Sequence, residues 1–166
     1  MKTKLQDTLF GHIKTPVQFG QILRLQRKKK KFSIKSITSV HLIGNRFISE
    51  LENGKPTARL NKSLEYCISI VGLDCYLGYK NIPYAIKLNS IQNSHDIGNI
   101  LRPHRLSQSL TITDMHGMSV LPIRLFSDLE NGRDCNLTSF FEVLTDYSLE
   151  FVVLPRSMYV GDLYGS

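Results

Sequence analysis

The 166-residue chain has no apolar run of eighteen residues and no charged leader that passes through an apolar stretch into small residues. Neither a membrane span nor a secretory signal is expected, and the chain is expected to stay in the cytoplasm. Cysteine is scarce: Cys67, Cys75 and Cys135 form no CxxC pair and are odd in number, which suggests neither a disulfide framework nor a zinc site. His12, His41, His95, His104 and His116 are scattered without an HExxH arrangement, and no serine or cysteine stands in a nucleophile motif. No catalytic activity, metal or cofactor is expected.

Acidic residues are scarce in one half only. Residues 1–80 hold 15 Lys and Arg against 5 Asp and Glu, a net of 15 − 5 = +10, whereas residues 81–166 hold 6 against 9, a net of 6 − 9 = −3. A basic excess gathered in one half is the electrostatic footprint of a polyanion partner, because cations placed on phosphates release condensed counterions. The run "RKKKKF" (Arg27 to Phe32) also has a plainer reading as the cationic end of a helix, where positive charge favours the helix dipole.

The segment "TPVQFGQILRLQRKKKK" begins as a helix should. Thr15 is placed to cap it, Pro16 stands at its first position, and Gln18 can complete a capping box. Phe19, Ile22, Leu23 and the stem of Gln26 fall on one face. A second short helix is predicted from Ser33, with Ile34, Ile37 and Val40 inward. A third carries Phe47, Ile48 and Leu51 until Asn53 and Gly54 stop it through a left-handed cap. Two helices, a break and a helix make helix-turn-helix grammar. "TARLNKSLEYCISIV" gives a fourth helix, with Leu60, Leu64, Cys67 or Ile68, and Val71 inward; Gly72 ends it and "LDCYLGY" alternates like a strand.

The order then repeats. Gly98, Ile100, Leu101, Arg102 and Arg105 follow Gly20, Ile22, Leu23, Arg24 and Arg27 at an offset of 98 − 20 = 78, and "SDLENG" follows "SELENG" at the same offset. One residue is lost after Gly132, so that Leu137 matches Leu60, and the strand recurs as "LEFVVL". The period is too long for a solenoid and marks two tandem units. Boundaries are expected at 1–80 for the first unit, 81–95 for a linker, 96–156 for a second, degenerate unit and 157–166 for a tail. Composition leans that tail toward disorder, with Tyr159 and Tyr164 able to dock on a partner.

The stretch from Arg27 to Leu77, and above all "RFISELENGKPTARL", resembles the Xre/Cro-type helix-turn-helix family, most closely its HipB-type antitoxin branch. The resemblance implies a mainly α fold of two lambda-repressor-like helix-turn-helix domains. Each would be followed by a short strand, the two strands pairing antiparallel within a monomeric pseudo-dimer. It implies a regulator that represses its own operon, binds double-stranded DNA at an imperfect palindrome and partners a HipA-like kinase toxin. Carried over by position, Gly44, Asn45, Arg46 and Ser49 would face the major groove, with Ser33, Lys35 and Lys55 on phosphates. The usual pattern is departed from at Ile34, Thr38, Leu42 and Gly44.

Side-chain chemistry agrees for the first unit: arginine can give two parallel donors to a guanine edge, and asparagine can make a matching pair of bonds to adenine. In the second unit Ile123 stands where Asn45 stood, leaving Arg124 and Ser127 as polar candidates. Pro103 should kink or shorten the repeated first helix. In the family, Arg27 with Glu52 forms an ion pair, and Arg105 with Glu130 repeats it. Phe32, Phe47, Leu51, Leu110, Leu125 and Phe126 are expected in the core. The alternative reading is a protein-interaction module that keeps the fold and binds a toxin without reading DNA.

Overall fold

A computed structural model describes residues 11–80 and 88–156. The tail with Tyr159 and Tyr164, and residues 81–87 of the expected linker, lie outside the described residues. The chain is mainly helical with one small antiparallel sheet. In the first half β1 (Gly11–Ile13) precedes α1 (Pro16–Lys29), α2 (Ile34–Thr38), α3 (Asn45–Glu52), α4 (Leu60–Glu65), which continues as a π-helical turn (Tyr66–Val71), and β2 (Leu73–Tyr79). In the second half β3 (Asn89–Ile91) precedes α5 (Ser94–Ser107), α6 (Ile112–Gly117), α7 (Ile123–Glu130), α8 (Leu137–Asp146) and β4 (Leu149–Pro155).

The start and stop residues act as their chemistry dictates. Thr15 Oγ1 accepts from the Gln18 amide at 3.2 Å, while Gln18 Oε1 accepts from the amide of Lys14 at 2.8 Å. The expected box is thus closed one residue early. Ser33 Oγ caps α2 through the Ser36 amide at 2.9 Å. The chain leaves α3 and α7 through Gly54 at φ +80° and Gly132 at φ +76°, the left-handed region that glycine enters without a Cβ penalty. Two expectations are corrected, and a third in part. Val40 is 78% exposed because α2 ends at Thr38, so its helical periodicity has no helix to act on. Phe32 is 41% exposed because it precedes the Ser33 cap, outside the helix face. Pro103 does not shorten α5, which runs 14 residues like α1; Pro103 lies on the exposed side, while Ile97, Leu101 and Arg105 hold the buried one.

Glycine permits two tight helix contacts. A Cβ on Gly20 would lie 2.4 Å from the Leu51 carbonyl oxygen, and one on Gly98 would lie 2.6 Å from that of Glu130. Gly20→Ala and Gly98→Ala must therefore push α1 off α3 and α5 off α7. Each should cost about 1–3 kcal/mol in denaturant unfolding, the usual penalty of overpacking a filled site.

A buried cluster sits at each of these contacts. Arg27 Nε and Nη2 donate to the two Glu52 carboxylate oxygens at 2.6 and 2.7 Å, and Nη1 donates to the Phe32 carbonyl at 2.8 Å. Arg105 repeats the pattern on Glu130 at 2.7 and 2.8 Å and on the Leu110 carbonyl at 2.6 Å. Tyr66 and Tyr147 complete the clusters by donating their hydroxyls to Glu52 Oε1 at 2.7 Å and Glu130 Oε1 at 2.5 Å. Burial, then the bond to the carboxylate, pushes both phenols far above their ordinary value. At Glu130 burial alone would raise the carboxyl, but the bonds from Arg105 and Tyr147 outweigh it and hold it below the ordinary range.

The raised phenols contribute stability that is complete below the unfolded tyrosine pKa near 10 and is lost as pH rises, because only the unfolded chain then ionises freely. Urea unfolding followed from neutral pH upward should show a falling alkaline limb. Tyr66→Phe with Tyr147→Phe should flatten that limb, at a cost of about 1 kcal/mol for each hydrogen bond removed.

The sheet has the order β1-β4-β2-β3. β2 and β4 pair antiparallel from Leu73 opposite Pro155 to Tyr79 opposite Leu149, with Tyr76 and Val152 at the centre. Outside them, β1 pairs with β4 (Ile13 opposite Phe151) and β3 with β2 (Ile91 opposite Cys75). Each half thus lends its first strand to the last strand of the other. β3 lies inside the segment read from sequence as linker; three residues are too short for alternation to register. The buried side chains form one continuous cluster through both halves, in which Phe151 meets Phe19 and Phe140 edge-on at 5.3 Å.

Candidate nucleic-acid interface

α3 is held by its apolar side. Ile48 and Leu51 are buried, Phe47 packs half-buried against the core, and Gly44 caps the helix without a side-chain bond. What remains outward is Asn45, Arg46 and Ser49. Arg46 is 88% exposed at its side chain, yet its Nε donates to Glu50 Oε1 at 2.8 Å. Lys55, in the turn after the helix, donates to the other Glu50 oxygen at 2.6 Å. The bonds from Lys55 and then Arg46 hold the Glu50 carboxyl below the ordinary carboxylate range. Ser33 uses its hydroxyl as the α2 cap, and Lys35 stands exposed two residues after it.

The second half places α7 in the same way, with Phe126 and Leu129 buried and Leu125 half-buried. Arg124, 82% exposed, lies 3.5 Å from Asp128, which also receives Arg133 Nη1 at 2.7 Å. Ser127 is half-buried and accepts a long 3.4 Å bond from Asn131, so it is less available than Ser49. Thr111 and Asp114 form a full capping box on α6.

Between the helices the halves meet directly. The Leu60 amide donates to the Cys135 carbonyl and the Leu137 amide to the Ala58 carbonyl, both at 2.9 Å. Arg59 reaches Asp134 Oδ2 at 3.0 Å, Asp134 Oδ1 accepts from the Asn61 amide at 2.9 Å, and the Ser94 amide donates to Asn61 Oδ1 at 2.8 Å. Lys55, Arg59 and Lys62 line a shallow hollow beside Phe47, with the Lys62 ammonium 4.8 Å from that ring's centre. Sequence reasoning missed Glu50, Asp128, Arg59, Lys62, Arg133 and Asp134. Three had a signal, since Glu50 with Asp128 and Lys55 with Arg133 keep their charge at the repeat offset.

Among the described residues no group of three His, Cys, Asp or Glu is placed to hold a metal ion, and no helix is long and apolar enough to cross a membrane. Cys67, Cys75 and Cys135 are free and buried; burial pushes the Cys135 thiol up to about 12 and that of Cys67 well above its ordinary value. Such thiols are poor nucleophiles.

Comparison with curated proteins finds the chain 42% identical, over 53 residues, to an uncharacterized HTH-type transcriptional regulator, y4mF, of Sinorhizobium fredii. The match covers 32% of this chain and 70% of the relative. No family model and no solved structure matches the chain.

Proposed function

Since the chain belongs to the helix-turn-helix-type transcriptional regulators, we propose that it binds double-stranded DNA with two tandem helix-turn-helix units, α2–α3 and α6–α7, fused into a monomeric pseudo-dimer. The observation that carries this reading is the symmetry of the seam. Leu60 donates to Cys135 while Leu137 donates to Ala58, a relation unchanged when every residue is exchanged for its partner 77 positions away. The same exchange, at an offset of 76 for the long strands, leaves Tyr76 opposite Val152, and β1 on β4 becomes β3 on β2. A self-complementary interface of this kind is what a two-fold dimer makes from identical chains. Two helices so related suit two half-sites of a palindrome. Divergence of the halves, with the positive charge gathered in the first, makes that palindrome imperfect.

In this reading Asn45, Arg46 and Ser49 meet base edges from the Gly44 end of α3. Ser33, Lys35 and Lys55 meet phosphates, and Arg124 with Ser127 makes the weaker half-site. A mobility shift on the region upstream of its own gene, repeated at rising salt, tests it. Specific retention that weakens steeply with salt supports the reading, and no retention over random duplex removes it.

By its resemblance to HipB-type proteins the regulator would autorepress an operon and bind a HipA-like kinase toxin. A protein-binding role is favoured by one further observation. The turns before α3 and α7 expose apolar side chains at equivalent places, Val40 and Leu42 in one half and Met118 and Val120 in the other. Exposed apolar groups at matched positions are what a symmetric partner would cover. Co-expression with the product of an adjacent kinase-like gene should yield a stable complex. Recovery of the chain alone beside a soluble neighbour would leave DNA binding as the sole proposal.

A further inference from the structure

The two halves have diverged in much of their surface charge, although isolated exposed charges such as Arg24 with Arg102 and Glu65 with Glu142 are kept. Lys28, Lys29, Lys30, Lys31 and Lys35 correspond to Leu106, Ser107, Gln108, Ser109 and Thr113, and Asn45 corresponds to Ile123. One group of three interacting charges is kept whole. Arg46, Glu50 and Lys55 correspond to Arg124, Asp128 and Arg133, cation, acid and cation in both halves. In both the acid lies between the two cations, at 2.8 and 2.6 Å in the first and 3.5 and 2.7 Å in the second. Exposed ion pairs of this sort add little to stability, so stability does not account for their retention beside lysines that were lost.

Their geometry offers a reason. Glu50 uses one oxygen for each cation and engages Arg46 only through Nε. Both Nη groups of Arg46 are left to donate, and these are the pair that can meet a flat acceptor edge such as guanine O6 and N7. Holding a long exposed side chain in one arrangement before binding lowers the entropy lost on binding. The same carboxylate repels phosphates, which lowers attachment to DNA that offers Arg46 no base edge. One acid can thus strengthen the specific complex and weaken the non-specific one together.

We infer that Glu50 and Asp128 are positioning residues for base recognition, which set the ratio of specific to non-specific DNA binding by holding Arg46 and Arg124 with Nε engaged. The inference rests on the DNA-binding function proposed above. Asp128 is one methylene shorter and stands 3.5 Å from Arg124, so the second arginine is held less firmly.

The test uses the full-length protein, duplexes that the wild type retains from a random-sequence library, and the unselected library as non-specific DNA. Affinity for each is measured over a salt series for wild type, Glu50→Gln, Glu50→Asp and Asp128→Asn. Glu50→Gln should weaken binding to selected duplexes and strengthen binding to the library, lowering the ratio by roughly fivefold to tenfold. Glu50→Asp should fall between, and Asp128→Asn should change the ratio less. A rise on both DNAs by the same factor would make Glu50 a mere repellent and overturn the inference, as would no change on either. Failure of the wild type to retain any duplex preferentially is a separate result, which overturns the DNA-reading function itself. Thermal melts of each variant verify folding, which half-buried Glu50 and Asp128 should leave intact.

Discussion

Glu52→Ala, and separately Glu130→Ala, should each lower the unfolding free energy by about 3–5 kcal/mol, the cost of stranding a buried cation. Arg27 and Arg105 are buried, and each spends three donors within its cluster. Loss of the acceptor leaves two of those donors and a tyrosine hydroxyl without partners. Against a total near 5–15 kcal/mol, either substitution should bring much of the population close to unfolding at physiological temperature. Urea titration by far-ultraviolet circular dichroism measures it. A shift under about 1 kcal/mol would mean that water reaches the cluster. Replacing the pair together, Arg27→Met with Glu52→Leu, should cost much less than Glu52→Ala, because no charge is then left alone.

Arg46→Ala should weaken binding to a selected duplex by roughly tenfold or more and relax sequence preference at one position, the usual result of losing a bidentate base contact. Arg124→Ala should do less. It is as exposed as Arg46, but it stands between Ile123 and Leu125 where Arg46 has Asn45 beside it, and its half of the chain is acidic. Exchanging Lys28 to Lys31 for glutamine should weaken binding to all sequences alike and flatten the salt dependence. Titrations of the variants on one duplex, with footprints of both half-sites, measure the difference. Equal losses from Arg46 and Arg124, or a footprint symmetric about its centre, would mean that the charge asymmetry is not used.

Local grammar was legible at several places where a side chain acts on its own backbone, though the Asn93, Thr111–Asp114 and Asn136 caps of the second half went unread. Thr15, Ser33, Gly54 and Gly72 can be assigned from sequence because a cap or a left-handed turn is set by one residue and its neighbours. The Arg27–Glu52 and Arg105–Glu130 pairs were legible through the family resemblance and the repeat. Tyr66 and Tyr147 were not, since they differ by 147 − 66 = 81 positions, outside the repeat offset. The π-helical turn gives part of the reason: it extends the first unit's last helix differently from α8, so the same hydroxyl position is reached from another place in sequence. β1 and β3 were invisible because three residues carry almost no period, and their partners belong to the opposite half. On the candidate interface Lys35, Arg46, Lys55 and Arg124 were legible by type, whereas Arg59, Lys62, Arg133 and the acids beside them were not. Glu50 and Asp128 keep their charge across the repeat, but only the distances place each between two cations.

The exchange of first strands between the halves has a consequence for dosage and inheritance. A regulator assembled from separate subunits loses its paired form on dilution, so at low expression its active concentration rises as the square of the amount made. Here the two halves are covalently tethered and each lends its first strand to the other within one chain, so in the pseudo-dimer proposed above pairing of the halves does not depend on concentration. Operator occupancy should therefore follow the first power of expression. A defective allele should behave as recessive if the chain acts as the proposed monomeric pseudo-dimer, because a damaged half then forms no mixed pair with an intact chain.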